Sequence, residues 1–252
     1  MQINDYGKLC TMMYEQLHPT ADPQELAFYL SYAKPGEQML ELLCGSGRFL
    51  IPFWKKGLSI DGVDLSAQML EQLEQKLPEA KPALHCCSAD AYQTEKRYDY
   101  IFITCNSFSL FTDEELAKRV LKNAKRLLSE QGVFVFAVDT VSSAEQGDGA
   151  LTQTTDQPLE DGKLLRMRMG ARYEPATQVQ YYPSIYELWQ GEKLLHSEPM
   201  DFQTKLSTAW ESWTHCWQRQ AFAAGRSMTG LTSIPHKGMK RVPCCTSADK
   251  GV

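Results

Sequence analysis

The sequence lacks the marks of several large protein classes. Its eight cysteines include the neighbours Cys86-Cys87 and Cys244-Cys245 but no C-x-x-C pair. Without that spacing neither a disulfide framework nor a thiolate zinc site is expected, and the thiols read as reduced cysteines of a cytoplasmic protein. No apolar run approaches the roughly 20 residues that cross a bilayer. The opening residues, MQINDYGKLCTMMYEQLHP, have no basic start followed by an apolar core, so no secretory signal is expected there. Basic residues are not in excess. The net charge is −5, so neither nucleic acid nor an anionic membrane is expected as a partner. What is present, 252 residues that are 43% hydrophobic and 23% charged, suits one domain with additions and a substantial core.

The chain is organised around residues 38–69. An apolar run, Met39 to Leu43, ends in Cys44-Gly45-Ser46-Gly47-Arg48, and a periodic segment, Phe49 to Lys56, follows. A second apolar run, Leu58 to Val63, ends in Asp64. Strand, glycine turn, helix, strand and acidic residue form the pattern expected where a nucleotide-like cofactor lies across the carboxyl ends of parallel strands. Gly45 and Gly47 carry no Cβ, so the backbone can turn sharply and a ligand can approach it closely. The helix that follows aims free N–H groups at that ligand. Taken alone, Gly-Ser-Gly is equally an ordinary tight turn. Asp64 lies 19 residues after Gly45, where a carboxylate can accept hydrogen bonds from two ribose hydroxyls. It or Ser66 would also cap a helix from Ala67 to Lys76.

The alternation continues. A third run, Ala83 to Cys87, leads to Ser88-Ala89-Asp90-Ala91, and a fourth, Tyr98 to Thr104, to Cys105-Asn106-Ser107-Phe108. Thr112-Asp113-Glu114-Glu115 opens a helix with apolar positions Leu116, Val120, Leu121, Ala124, Leu127 and Leu128, stopped at Gln131-Gly132. Val133 to Val138 is a fifth, wholly apolar strand. Ahead of all this, residues 4–34 read as two helices separated by His18-Pro19, the second opened by Asp22-Pro23. This order predicts an α/β fold, a doubly wound open parallel sheet with helices on both faces. Residues 141–161 are polar and read as a linker. Three alternating runs, 163–174, 178–190 and 193–205, read as a small antiparallel β insertion. It is expected either to border a substrate mouth or to support a homodimer. The expected parts are therefore 1–35, a helical cap; 36–140, the cofactor-binding domain; 141–205, linker and insertion; and 206–252, an atypical tail.

The segments LELLCGSGR, GVDLSAQML, CSADAY and YDYIFITCNSF, in that order, resemble the class I S-adenosylmethionine-dependent methyltransferases, especially small bacterial ones acting on small molecules. The resemblance covers about residues 6–140. It implies a Rossmann-like sheet and S-adenosyl-L-methionine as cofactor. Glu41, Cys44, Gly45, Ser46, Gly47 and Arg48 would face the amino-acid end of that cofactor. Asp64 would hold its ribose, with Leu65 and Met69 beside the adenine. Asp90 would accept from the adenine amino group, Ala91 would offer a backbone N–H, and Asn106 would border the methyl group. Cys44 stands where glycine is frequent in the wider family. A nicotinamide-dependent oxidoreductase is the rival, but its third glycine would fall at Leu50. A protein that binds the cofactor without catalysis is a second alternative.

Methyl transfer needs no metal, and a general base only when the nucleophile arrives protonated. Tyr6, Tyr14, His18 and Asn106 are the weak candidates near the expected mouth. Each tyrosine or histidine reads first as a packed helix residue, and no catalytic base is expected. The methyl acceptor is a small molecule that the sequence does not name. The tail differs in character from the rest. Trp210, Trp213 and Trp217 are three of five tryptophans, and residues 206–252 hold six Lys or Arg against two Asp or Glu. Degenerate codons for Ser207 to Cys245 admit a neighbouring frame with an amphipathic helix, an EVYDGFDF strand and a TVL strand. The tail is therefore expected to come from a shifted frame and to leave the sheet without its final strand pair.

Overall fold

The computed structural model describes residues 6–77 and 81–208. The expectations for the tail beyond residue 208, the shifted frame and the absent strand pair included, lie outside them.

The apolar runs form a five-stranded parallel sheet. Its strands are β1 (Gln38–Leu42), β2 (Ser59–Asp64), β3 (Leu84–Cys86), β4 (Tyr98–Ile103) and β5 (Leu128–Phe136), in the order β3-β2-β1-β4-β5. The chain runs outward from β1 through β2 to β3 and then crosses to β4 and β5. The order reverses between β1 and β4, where open parallel sheets bind ligands at their carboxyl ends. Among the described residues five α-helices accompany the sheet: α1 (Lys8–Leu17), α2 (Pro23–Leu30), α3 (Leu50–Lys55), α4 (Ala67–Lys76) and α5 (Glu114–Leu127).

Side-chain alternation along the strands feeds two cores. On one face Leu40, Ile101, Ile103, Phe134 and Phe136 pack with Val120, Leu121, Ala124 and Leu127 of α5. On the other, Met39, Ile60, Tyr100, Phe102 and Val135 pack with Tyr29, Leu50, Phe53, Leu70 and Leu73 from α2, α3 and α4. The caps expected from sequence are present. Asp22 accepts from the backbone N–H of Gln24 at 2.9 Å, Ser66 from that of Met69 at 3.2 Å, and Asp113 from that of Leu116 at 2.7 Å.

Two boundaries differ from the sequence reading. Helix α5 gives way at Leu128 directly to β5, so residues 128–132 belong to the strand and not to the helix end. Between the pairs Tyr98–Leu128 and Tyr100–Val133 the register shifts, β5 advancing five residues while β4 advances two. Residues 141–161 are not all linker. Gln153–Pro158 forms β6, which pairs antiparallel with β7 (Leu164–Met169).

The second sheet has the order β10-β9-β7-β6, with β9 (Val179–Gln190) and β10 (Lys193–Lys205) as its long hairpin and β8 (Arg172–Glu174) paired to β9. Helix α1 joins it to the rest. Leu9, Cys10 and Met13 pack on Leu165, Tyr186 and Met200, and the Leu9 N–H donates to Glu198 Oε2 at 2.8 Å. On its other side α1 pairs Glu15 with Lys76 of α4. Among the described residues no helix is long and apolar enough to cross a membrane.

Candidate active site

The carboxyl ends of the parallel strands open into one large cavity of about 1930 Å³. Every strand of the parallel sheet contributes. Leu43 follows β1, Asp64 ends β2, Cys87 to Ala89 follow β3, Cys105 and Asn106 follow β4, and Asp139 follows β5. Helix α1 and the antiparallel sheet close the opposite side with Tyr6, Tyr14, Met167, Tyr182, Tyr186 and Phe202.

The turn after β1 is built as its glycines require. Gly45 and Gly47 have φ of +52° and +84°, the left-handed region that side chains penalise. At Gly47 a Cβ would meet Leu73 and, at 3.1 Å, Ile51, so the residue must be small to let α4 pack. At Gly45 a Cβ would meet no protein atom within 4 Å, because that side faces the cavity. The Gly45 N–H donates to Asp64 Oδ2 at 2.7 Å, and the Ser66 N–H to Asp64 Oδ1 at 2.8 Å. Asp64 thus steadies the next helix start and also lines the cavity. Burial pushes its carboxyl above the ordinary range, against backbone N–H groups that pull it down.

Leu50, where a nicotinamide fold would place its third glycine, is fully buried. The close helix–strand approach is provided from the other partner. A Cβ on Gly62 of β2 would lie 2.6 Å from Leu50 Cδ1 and 2.9 Å from Cys44 Sγ. Glycine is on the strand and leucine on the helix, which also accommodates Cys44 below the turn.

The structure brings together most of the residues singled out from sequence. Gly45, Arg48, Asp64, Leu65, Met69 and Asn106 line the cavity, as do Tyr6, Tyr14 and His18. Glu41, Cys44, Ser46 and Gly47 are buried immediately behind the turn. Glu41 accepts from Thr104 Oγ1 at 3.1 Å through one oxygen, and burial pushes its carboxyl well up. Its other oxygen, Ser46 Oγ and Arg48 Nε are buried without a hydrogen-bond partner. Asp90 and Ala91 are turned away. Asp90 accepts from Ser88 Oγ and from Arg119 Nε of α5, the latter at 2.9 Å. The Ala91 N–H is taken by Ser88 O at 3.0 Å. The tight turn after β3 presents Ser88 and Ala89 to the cavity in their place.

Sequence reasoning missed the partners drawn from afar. Glu25 of α2 accepts from the Cys105 N–H at 3.0 Å, and Arg48 Nη2 donates to Cys105 Sγ while its guanidinium sits 5.4 Å from the Tyr14 ring centre. Burial pushes the Cys105 thiol to about 11, so it stays protonated at neutral pH. Asn106 adopts a left-handed backbone, φ +54°, and donates through Nδ2 to Asp139 Oδ1 at 2.8 Å. Burial also pushes the Tyr6 and Tyr14 phenols above their ordinary range, which leaves them as hydroxyl donors and not bases at neutral pH. Among the described residues no cluster of His, Cys, Asp and Glu could hold a metal ion.

Comparison with known proteins agrees with this geometry. Residues 39–132 match the family described as a methyltransferase domain. YqeM of Bacillus subtilis (strain 168), provisionally named a methyltransferase, is 26% identical over 129 residues, 50% of this chain and 52% of that protein. The chain thus spans about half the length of the curated relatives it matches. Among solved structures, the CcbJ methyltransferase of Streptomyces caelestis superposes with a TM-score of 0.67 at 17% identity, covering 87% of both chains. The sugar N-methyltransferase KedS8 of Streptoalloteichus sp. ATCC 53650 does so at 0.66 and 16%, covering 85% of this chain and 83% of that one. Residues 39–132, the segment that carries most of the strand ends, thus match a methyltransferase domain, and the fold around them is that of solved methyltransferases.

Proposed function

We propose that the protein transfers a methyl group from S-adenosyl-L-methionine to a small-molecule acceptor. The observation that carries this reading is the set of unsatisfied groups gathered at the turn after β1. The free oxygen of Glu41, Ser46 Oγ and Arg48 Nε are buried and lack partners. A carboxyl group and a guanidinium flanking one turn suit the ammonium and carboxylate of an amino acid, the arriving ammonium favouring the ionised form of Glu41. Gly45 leaves the approach to that turn open, and Asp64 adds an acceptor for ribose hydroxyls, each of its oxygens keeping a lone pair beyond its backbone contact. The residues present therefore fit the cofactor.

The cavity also fits two ligands. At about 1930 Å³ it exceeds the roughly 300–1,000 Å³ that one small molecule commonly fills. The strand ends would take the cofactor. The wall made by α1 and the antiparallel sheet would take the acceptor, in keeping with KedS8, whose name is that of a sugar N-methyltransferase. When bound, the cofactor supplies a sulfonium-activated methyl group: a nucleophile in line takes the carbon, the C–S bonding pair returns to sulfur, and a protonated acceptor also releases one proton. The protein's part is to hold the nucleophile in line and to exclude water, the latter through the α1 and sheet wall.

Calorimetric titration with S-adenosylmethionine and S-adenosylhomocysteine tests the cofactor half. Incubation of methyl-labelled cofactor with fractionated small molecules tests transfer. Failure of the protein to bind either compound would refute the reading.

A further inference from the structure

The acceptor side of the cavity is built differently from the cofactor side. Four aromatic rings of its lining form a connected series. Tyr182 and Phe202 lie 6.1 Å apart between ring centres, Phe202 and Tyr6 6.3 Å, and Tyr6 and Tyr14 6.4 Å. At the Tyr14 end the series meets Arg48. At the Tyr182 end it meets carboxylates: Tyr182 Oη donates to Glu145 Oε1 at 3.2 Å, and the charges of Glu145 and Asp139 both act on that phenol. Aromatic faces are negative and attract cations, and carboxylates at one end of the series give such a cation a direction.

Charge along the lining sharpens this. The lining includes six carboxylates, Asp22, Glu25, Asp64, Asp113, Asp139 and Glu145, against one arginine, Arg48, and no lysine. The first four are engaged by backbone N–H groups, as caps or at strand ends. Asp139 and Glu145 instead meet side chains, Asn106 and Tyr182. Glu145 is exposed, but its backbone is fixed in place. Its N–H donates to Gln180 Oε1 at 2.9 Å, and Gln180 Nε2 donates to its carbonyl at 3.2 Å. Gln180 is fully buried, so the position of Glu145 is set by the core of β9.

Asn106 supplies a third feature. A carboxylate only accepts, so the Asn106 carboxamide must turn its NH₂ to Asp139. Its oxygen is then left for a ligand that carries a hydrogen. The Asp139 backbone is held in turn, its N–H donating to Ser109 Oγ at 2.8 Å. An anionic acceptor would meet two carboxylates of its own sign, and a neutral hydroxyl would gain nothing from the aromatic series.

We propose that the acceptor is an organic amine, lying along the aromatic series with its nitrogen toward Asp139, Glu145 and the Asn106 oxygen. Asp139 acts here as the positioning residue for Asn106. This inference rests on the methyl-transfer reading and names its substrate class.

Three probes that share one ring test it: benzylamine, benzyl alcohol and benzoate, each titrated calorimetrically into protein saturated with S-adenosylhomocysteine. Benzylamine is expected to bind roughly tenfold or more tighter than benzyl alcohol, the equivalent of one charge-assisted contact, and benzoate is expected not to bind. Glu145→Gln, whose amide oxygen can still accept from Tyr182, is expected to weaken benzylamine roughly tenfold while leaving S-adenosylhomocysteine affinity unchanged. Asp139→Asn is expected to do likewise with little change in thermal midpoint. The inference is overturned by equal or tighter binding of the alcohol or benzoate, by no binding of any probe, or by benzylamine affinity unchanged in both variants. Failure of S-adenosylhomocysteine to bind at all would instead sink the methyl-transfer reading beneath it.

Discussion

Gly45 and Gly47 are two residues apart, both with positive φ, yet alanine at each should fail for a different reason. Gly45→Ala costs the left-handed backbone penalty, about 1–2 kcal/mol, and no more, because its new methyl meets no protein atom within 4 Å. Gly47→Ala costs the same penalty plus overpacking of about 1–3 kcal/mol, because Leu73 and Ile51 already occupy the space and Leu73 is fully buried in the α4 core. The totals are about 1–2 and about 2–5 kcal/mol. At roughly 2–4 °C per kcal/mol for a chain of this size, Gly47→Ala should melt clearly below Gly45→Ala. Cofactor binding should rank them the other way. The Gly45 methyl projects into the cavity and should cut S-adenosylmethionine affinity by about tenfold or more, whereas Gly47→Ala protein that remains folded should still bind. Thermal melts and calorimetric titration of both variants make the measurement. Equal melting temperatures, or wild-type affinity in Gly45→Ala, would refute the reasoning.

Asp64→Asn leaves an amide NH₂ facing a backbone donor, so it should destabilise by about 1–3 kcal/mol and weaken the cofactor at least tenfold; wild-type affinity in that variant would remove Asp64 from the site. Because Asp64 is raised by burial, the neutral carboxyl is favoured in the fold: its contribution to stability is full below the unfolded value near 4 and is lost as pH rises through the folded value. Hydroxyl donors on a ligand favour the charged form instead, so S-adenosylmethionine affinity should fall as pH is lowered through that same raised value, and a flat calorimetric profile between about pH 8 and 4 counts against the assignment. Tyr29→Phe removes a fully buried 2.9 Å bond to the Ile103 carbonyl and should cost about 1–3 kcal/mol by chemical denaturation, with under 0.5 kcal/mol refuting the bond.

The parallel sheet was legible because its strands are buried on both faces and so read as continuous apolar runs. The strands that escaped are those without that signature. Strand β6, QTTDQP, is polar and largely exposed, and its pairing with β7 is visible only in three dimensions. The start of β5 was hidden by Leu127 and Leu128, which continue the helical spacing of α5 although the chain has already turned extended. The cofactor side was readable for a related reason: its turn, its carboxylate and its strand ends follow one another closely along the chain. Asp90 lies outside the cavity lining because the turn from Ser88 to Tyr92 brings it to Arg119, and a turn's sense of rotation leaves no trace in hydrophobic pattern. Glu25, Asp139 and Glu145 had no local signal, since each gains its place from a partner 33 to 80 residues away.

That difference divides the molecule by role. The matched methyltransferase domain, residues 39–132, contains the glycine turn, Asp64 and Asn106 but none of β7, β9 or β10. The other wall is assembled from the first helix and the antiparallel sheet, which lie on either side of that segment in sequence. They are pinned together by a shared apolar cluster, Leu9, Cys10 and Met13 against Leu165, Tyr186 and Met200, with Leu9 N–H to Glu198 and Cys10 Sγ to Met200 Sδ at 3.3 Å across it. Substitutions on the sheet's inner face should therefore reshape what the cavity accepts without touching the glycine turn after β1, the proposed cofactor side. Asn106 and Asp139 are the exception, because their 2.8 Å bond joins the end of β4 to the end of β5 at the boundary between the two halves. A change there should alter the alignment of acceptor against cofactor, whereas a change at Glu145 or Phe202 should alter only which acceptor is held.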